Sequence, residues 1–245
     1  KTPSLLGSQA VSAEPSSPPR PRFVEVGPRD GLQNEAARLS LEAKVAFIDA
    51  LSETGLREIE AGAFVSPQAV PQMADSGDVF ENIKRKEGVV YSALVPNEQG
   101  LERALEAEVD KITVFTAASE TFNRKNINAG IAESLERFAP VVAKAKQAKL
   151  PVRAYISTAF HCPYEGPVKP LNVLSVVERL MGLGVDELSI GDTIGRASPR
   201  DVRALLDVLR KSVPQEKVFL HFHDTYGMAV ANALTAWTEY KISGF

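Results

Sequence analysis

The chain has 245 residues, 44% hydrophobic and 24% charged, a globular balance that excludes wholesale disorder. A net charge of −3 offers no basic footprint for nucleic acid, and no apolar run approaches the roughly 20 residues that cross a membrane. One cysteine, Cys162, excludes an internal disulfide and fits a reducing compartment, so the composition points to a soluble intracellular protein.

Residues 1–22 stand apart. They hold Pro3, Pro15, Pro18, Pro19 and Pro21, many serines and a single acid, Glu14, with no sustained apolar periodicity. Such a segment cannot bury enough surface to offset its ordering entropy, so disorder is expected there. Its Ser-rich, acid-poor composition matches an organellar transit peptide; an untargeted tail in the cytoplasm is the plain alternative. The folded domain is expected over residues 23–245.

From Phe23 onward, short β-branched or apolar runs alternate with helical spacing. The runs are Phe23–Val26, Glu58–Ala61, Val89–Val95, Lys111–Phe115, Val152–Ser157, Glu187–Ile190 and Val218–Phe222. After the first, Leu41, Val45, Ile48 and Leu51 share a helical face, with Ser40 as N-cap and Gly55 as C-cap. Pro140 inside Ile131–Lys149 predicts a kink or break, and Ser198-Pro199 opens a further helix. Arg200–Lys211 reads as the solvated face of that amphipathic helix.

Strand–helix alternation implies a parallel α/β sheet, either a closed (β/α)₈ TIM barrel or an open doubly wound sheet. No G-x-G-x-x-G follows the first strand and no G-x-x-x-x-G-K-[ST] occurs anywhere, which disfavours the open nucleotide-binding sheet. Seven strands are predicted where a barrel needs eight, so the eighth strand and the region after it are expected to be missing from this chain.

Polar residues collect toward one end of these strands: Arg29 and Asp30 after the first, Glu60 on the second, Arg153 on the fifth, Asp192 ending the sixth, His221 and His223 at the seventh. The carboxyl ends of barrel strands converge on one mouth, so residues far apart in sequence can share a pocket. His221 and His223 sit two apart on a strand and project from one face, a geometry for chelating one cation or for a simple hydrogen-bonded pair. With Asp30 supplying oxygen, a mixed set with open positions suits Mg²⁺ or Mn²⁺ more than structural zinc. Arg29 beside Asp30 either steadies negative charge on a substrate oxygen or closes a loop as a salt bridge; spacing does not choose. Cys162, although next to His161, reads as a structural thiol.

Val24-Glu25-Val26-Gly27-Pro28-Arg29-Asp30-Gly31-Leu32-Gln33-Asn34-Glu35 resembles the opening signature of the 3-hydroxy-3-methylglutaryl-CoA (HMG-CoA) lyase family. The resemblance continues through Ala63–Pro67, Asn126-Ile127-Asn128, Cys162-Pro163-Tyr164-Glu165-Gly166, Gly191–Gly195 and His221–Gly227, in order from about Phe23 to about Ala236. Related synthases share Arg-Asp-Gly and His-x-His but read differently around them.

The resemblance implies a metal-dependent barrel lyase that splits an acyl-CoA, HMG-CoA, into acetoacetate and acetyl-CoA, and a homodimer for the complete enzyme. It places the cation on Asp30, His221 and His223, proton chemistry at Asp192, and the departing enolate on Arg29. Glu60 and Arg153 match supporting positions, with Arg153 expected to help bind substrate. The family's glycine-rich loop with a catalytic cysteine, and an asparagine completing the metal shell, find no match here. From about Trp237 the pattern lapses. An inactive truncated form, or a related acyl-CoA lyase or synthase on the same barrel, is therefore the alternative expectation.

Overall fold

The computed structural model describes residues 17–245. The disorder and targeting signal expected of residues 1–16 lie outside the described residues. All seven expected strands are present. They curl into one parallel sheet in the order β1 (Val24–Glu25), β2 (Glu58–Ala63), β3 (Val90–Leu94), β4 (Lys111–Ala117), β5 (Val152–Ser157), β8 (Glu187–Asp192) and β9 (Val218–Phe222). A small antiparallel ribbon, β6 (His161–Cys162) with β7 (Gly166–Pro167), follows β5. The helices are α1 (Leu41–Ser52), α2 (Ser76–Asn82), α3 (Glu98–Glu106), α4 (Glu120–Ile127), α5 (Ile131–Gln147), α6 (Pro170–Leu183), α7 (Pro199–Leu209) and α8 (Ala229–Tyr240). This is the partial (β/α)₈ barrel that the alternating pattern implies.

Local chemistry sets the element ends. The Ser40 hydroxyl accepts from the Ala43 N–H at 3.3 Å and starts α1. That helix stops at Ser52, and Gly55 takes its left-handed φ of +89° in the turn beyond, not at the cap itself. At α7 the Asp201 carboxylate accepts from both the N–H (2.9 Å) and the hydroxyl (2.7 Å) of Ser198, ahead of Pro199. The break expected at Pro140 does not occur, because α5 runs unbroken through it. Pro140 and Glu136 are both exposed, so the Glu136 carbonyl that loses its helical partner lies on the side open to water, while Leu135, Phe138, Val141 and Val142 anchor the buried face. The core lies between sheet and helices, around Ile48, Ile59, Ile112, Ile156, Leu180, Leu188, Ile190 and Leu205.

Part of the segment expected to be disordered is docked. The Pro19 carbonyl accepts from Trp237 Nε1 at 2.6 Å, and Arg22 reaches the Glu216 carbonyl at 2.7 Å while lying 4.6 Å above the Phe219 ring. The gap between β9 and β1 is bridged at its amino-terminal end by Ser243–Phe245. There the Leu220 N–H donates to Gly244 O (3.1 Å), Arg22 N–H to Ser243 O (2.6 Å) and Val24 N–H to Phe245 O (2.8 Å). Above this bridge a cavity of about 280 Å³ separates the two edges.

Candidate active site at the barrel mouth

The first strand leads straight into a tight coil. The Val26 carbonyl accepts from the N–H groups of Arg29, Asp30 and Gly31 at 3.1, 2.7 and 3.3 Å. Gly27 starts it: its N–H donates to Glu25 Oε1 at 2.6 Å, and a Cβ there would fall 2.7 Å from the same oxygen. Pro28, with its fixed φ and no N–H, suits the first turn. The coil lays Arg29 and Asp30 over the mouth.

Arg29 is only 7% exposed and Glu60, on β2, is fully buried. The Arg29 Nε donates to Glu60 Oε1, and its Nη1 donates to Asp30 Oδ1 at 3.0 Å. The second Glu60 oxygen accepts from the Tyr155 hydroxyl on β5. Burial by itself would lower the Arg29 pKa, but Glu60, Tyr155 and Asp30 carry it upward, so the guanidinium stays charged. Burial first, then the Glu60 charge, lifts the Tyr155 phenol well above its usual value and keeps it protonated.

Across the mouth, one donor atom each from Asp30, His221 and His223 lies within 4.8 Å of the others. The two imidazoles stack with centroids 4.7 Å apart and planes inclined by 29°. Burial, and then the neighbouring His223, push His221 down to about 4, so its ring is neutral and holds a lone pair at physiological pH. His223 Nδ1 lies 2.9 Å from the Asp192 carbonyl; a carbonyl only accepts, so Nδ1 carries the proton and Nε2 the lone pair. Gly195 (φ +66°) lets the next loop approach this close, since a Cβ there would sit 2.7 Å from the His223 carbonyl. One carboxylate with two imidazoles is a donor set that fits Mg²⁺ or Mn²⁺.

The mouth cavity, about 370 Å³, is lined by Arg29, Asp30, Tyr155, His221 and His223, with Gln33, Asn126 and Thr193 adding polar groups. Thus Arg29, Asp30, Glu60, His221 and His223 converge as the sequence implies. Two expected site residues do not. Arg153 is the second residue of β5, at the opposite end of the barrel, where it pairs with Glu58 (2.8 and 3.0 Å) and Glu187 (2.6 Å). It cannot bind substrate at the mouth from there. Asp192 ends β8 at the right height, but its carboxylate is turned onto the N–H groups of Arg196 and Ala197, at 3.1 and 3.0 Å. It shapes the β8–α7 loop and, through its carbonyl, orients His223. Tyr155 was missed as a site residue; its parity with Arg153 on β5 signals an inward side chain, yet an aromatic in an apolar run reads as core. Cys162 is buried, 3.0 Å from the Ser119 hydroxyl, as a structural thiol would be.

The chain matches the family model described as HMGL-like over residues 20–239. A Pseudomonas aeruginosa protein named 3-hydroxy-3-isohexenylglutaryl-CoA/hydroxy-methylglutaryl-CoA lyase is 48% identical, over 91% of this chain and 74% of its own length. A mitochondrial hydroxymethylglutaryl-CoA lyase of Rattus norvegicus is 46% identical over 94% of this chain and 71% of its own, and a cytoplasmic 3-hydroxy-3-methylglutaryl-CoA lyase of Mus musculus 46% identical over 95% and 68%. The solved HMG-CoA lyase of Acinetobacter baumannii, in complex with coenzyme A and 3-methylmalate, superposes with a TM-score of 0.86 at 35% identity, over 92% of this chain and 72% of that one. On barrel, mouth and sequence alike, the chain belongs to the HMG-CoA lyase family.

Proposed function

We propose that this chain is a carbon–carbon lyase that cleaves HMG-CoA into acetoacetate and acetyl-CoA, with a divalent cation at Asp30, His221 and His223. The observation that carries the reading is the meeting of that donor set with the Glu60-held Arg29 in one cavity. In the reaction the tertiary hydroxyl gives up its proton and becomes the ketone of acetoacetate. The bond to the thioester's α-carbon breaks, its electron pair passes into the acetyl-CoA enolate, and the enolate takes up a proton. Mg²⁺ or Mn²⁺, when bound, supplies Lewis acidity that lowers the hydroxyl's pKa.

The chain's own groups supply fixed charge and orientation. Arg29 is a permanent cation at the mouth and steadies the enolate oxygen; preorganised charge of this kind lowers a barrier without reorganising. Glu60 fixes where Arg29 points. Asp192 holds His223 in the tautomer that offers Nε2.

The test is acetoacetate release by purified protein supplied with Mn²⁺, using HMG-CoA, its 3-isohexenyl homologue and a keto acid with acetyl-CoA. Release from HMG-CoA supports the reading. Condensation without cleavage points to a synthase on the same barrel, and no turnover of any substrate points to an inactive form. The composition of residues 1–22 and the mitochondrial relative support an address in the mitochondrial matrix, which import of a fluorescent fusion tests. Among the described residues no helix is long and apolar enough to cross a membrane. A homodimer, implied by the family resemblance, is checked by sedimentation.

A further inference from the structure

Tyr155 is a buried mouth group whose chemistry neither the cation nor the substrate explains. It is 9% exposed, it lines both the mouth cavity and the side cavity between β1 and β9, and its hydroxyl donates to Glu60. Its ring lies 5.5 Å below the Arg29 guanidinium carbon. Glu60 thereby has one oxygen on a phenol and the other on Arg29 Nε. A buried carboxylate with a single partner can rotate about its last torsion; pinned at both oxygens it cannot.

We propose that Tyr155 is a positioning residue: its hydroxyl locks the Glu60 carboxylate, and Glu60 in turn sets the plane of the Arg29 guanidinium. Arg29 has five N–H donors and spends one on Glu60 and one on Asp30. The direction of the other three is therefore fixed by the carboxylate, and the carboxylate by the phenol. The aromatic face beneath the guanidinium limits tilting in the remaining direction. Tyr155 needs no contact with substrate for this. The inference rests on the lyase reading, because it assigns to that reading's cation the group that aims it.

The test uses Tyr155→Phe, which keeps the ring and removes the hydroxyl. Two readouts separate the inference from the reading it rests on. The first is the Arg29 Nε–H resonance in a ¹H–¹⁵N spectrum of the whole chain, assigned by its loss in Arg29→Lys. It is expected downfield in the unaltered protein, as for a carboxylate-bound guanidinium, and shifted and broadened in Tyr155→Phe. This signal needs no turnover, so it decides the inference even if HMG-CoA is not the substrate. The second is kinetic. Loss of one charge-assisted hydrogen bond is expected to lower kcat about tenfold with KM changed less than about threefold, since an aimed cation acts mainly in the transition state. A purely structural tyrosine would lower the melting temperature and leave both the resonance and the kcat of folded protein alone. Should Tyr155→Phe fail to fold, 3,5-difluorotyrosine placed at position 155 keeps ring and hydroxyl while changing the strength of the bond to Glu60, and the same Nε–H is then expected to shift; an unmoved resonance there overturns the proposal as well. An unmoved Nε–H in the folded variant overturns the proposal, whatever happens to kcat.

Discussion

The mouth and the base of this barrel are built by the same strands, and they treat charge in opposite ways. At the base Glu58, Lys111, Arg153 and Glu187 form a closed set of two anions and two cations, each cation bonded to both anions at 2.6–3.0 Å. Phe219 closes over it, with the Arg153 guanidinium carbon 4.2 Å from its ring. Two residues along β2 and β5, the mouth has one guanidinium against two carboxylates, Asp30 and Glu60, beside two stacked histidines. The base is neutral, its two anions matched by two cations. The mouth is left short of one positive charge in a cavity with room for a ligand. Charge matched within the protein serves stability; charge left unmatched serves binding.

The sharpest way to break this comparison is to empty each end separately. The double change His221→Ala, His223→Ala is expected to weaken Mn²⁺ binding by at least about a hundredfold, since even outer-shell changes at metal sites cost 10–100-fold. Melting without metal should change little, and calorimetric titration checks both. Unchanged Mn²⁺ affinity would place the cation elsewhere. Arg153→Ala is the counterpart at the base. Two carboxylates then lose a buried cation, and a loss of about 3–5 kcal/mol in urea unfolding is expected, with Mn²⁺ affinity preserved in the folded fraction.

Acid titration sharpens the contrast further. His221 is held at about 4 in the fold against an ordinary 6.5, so below pH 6.5 the unfolded chain takes up a proton that the folded chain refuses. Stability contributed by His221 is therefore present above 6.5 and lost as pH falls toward 4, by about 1–3 kcal/mol. His221→Asn should flatten the metal-free unfolding curve across that window; an unchanged slope would show that burial there is weaker than the geometry implies. Gly244→Ala tests the bridge alone. Its Cβ would lie 2.5 Å from the Phe219 ring, and pushing that ring aside should cost about 1–3 kcal/mol without altering the mouth, measurable as a melting shift with unchanged Mn²⁺ affinity.

Much of this was legible in the sequence. The strands were legible as short β-branched or apolar runs, β4 most plainly, even though Glu58 and Glu60 interrupt β2 and Arg153 interrupts β5. The Arg29-Asp30 pair and the His-x-His were legible because strand ends converge. Depth was not. Period two says which way Arg153 points but not how far down the barrel it lies, and its place near the start of β5 puts it at the base. Parity also had more to give: Glu187, Ser189 and Gly191 share one face of β8, so Asp192 belongs to the other. Pro140 misled because helix rules weigh the lost hydrogen bond, whereas its cost depends on whether water reaches the abandoned carbonyl.

The bridge at Ser243–Phe245 bears on the order in which the molecule can assemble. Arg22 meets Ser243 across 221 positions of sequence, about as non-local a pairing as this chain allows, and entropy makes such loops slow to close. Strand β1 is two residues long, and one of its edges depends on that pairing. During synthesis the segment that carries Arg29 and Asp30 is made early, yet its seat in the barrel is finished only when residues 243–245 have emerged. Strands β2 through β9, by contrast, each find a neighbour soon after they are made. The segment that carries Arg29 and Asp30 is thus made long before the residues that complete the edge it rests on.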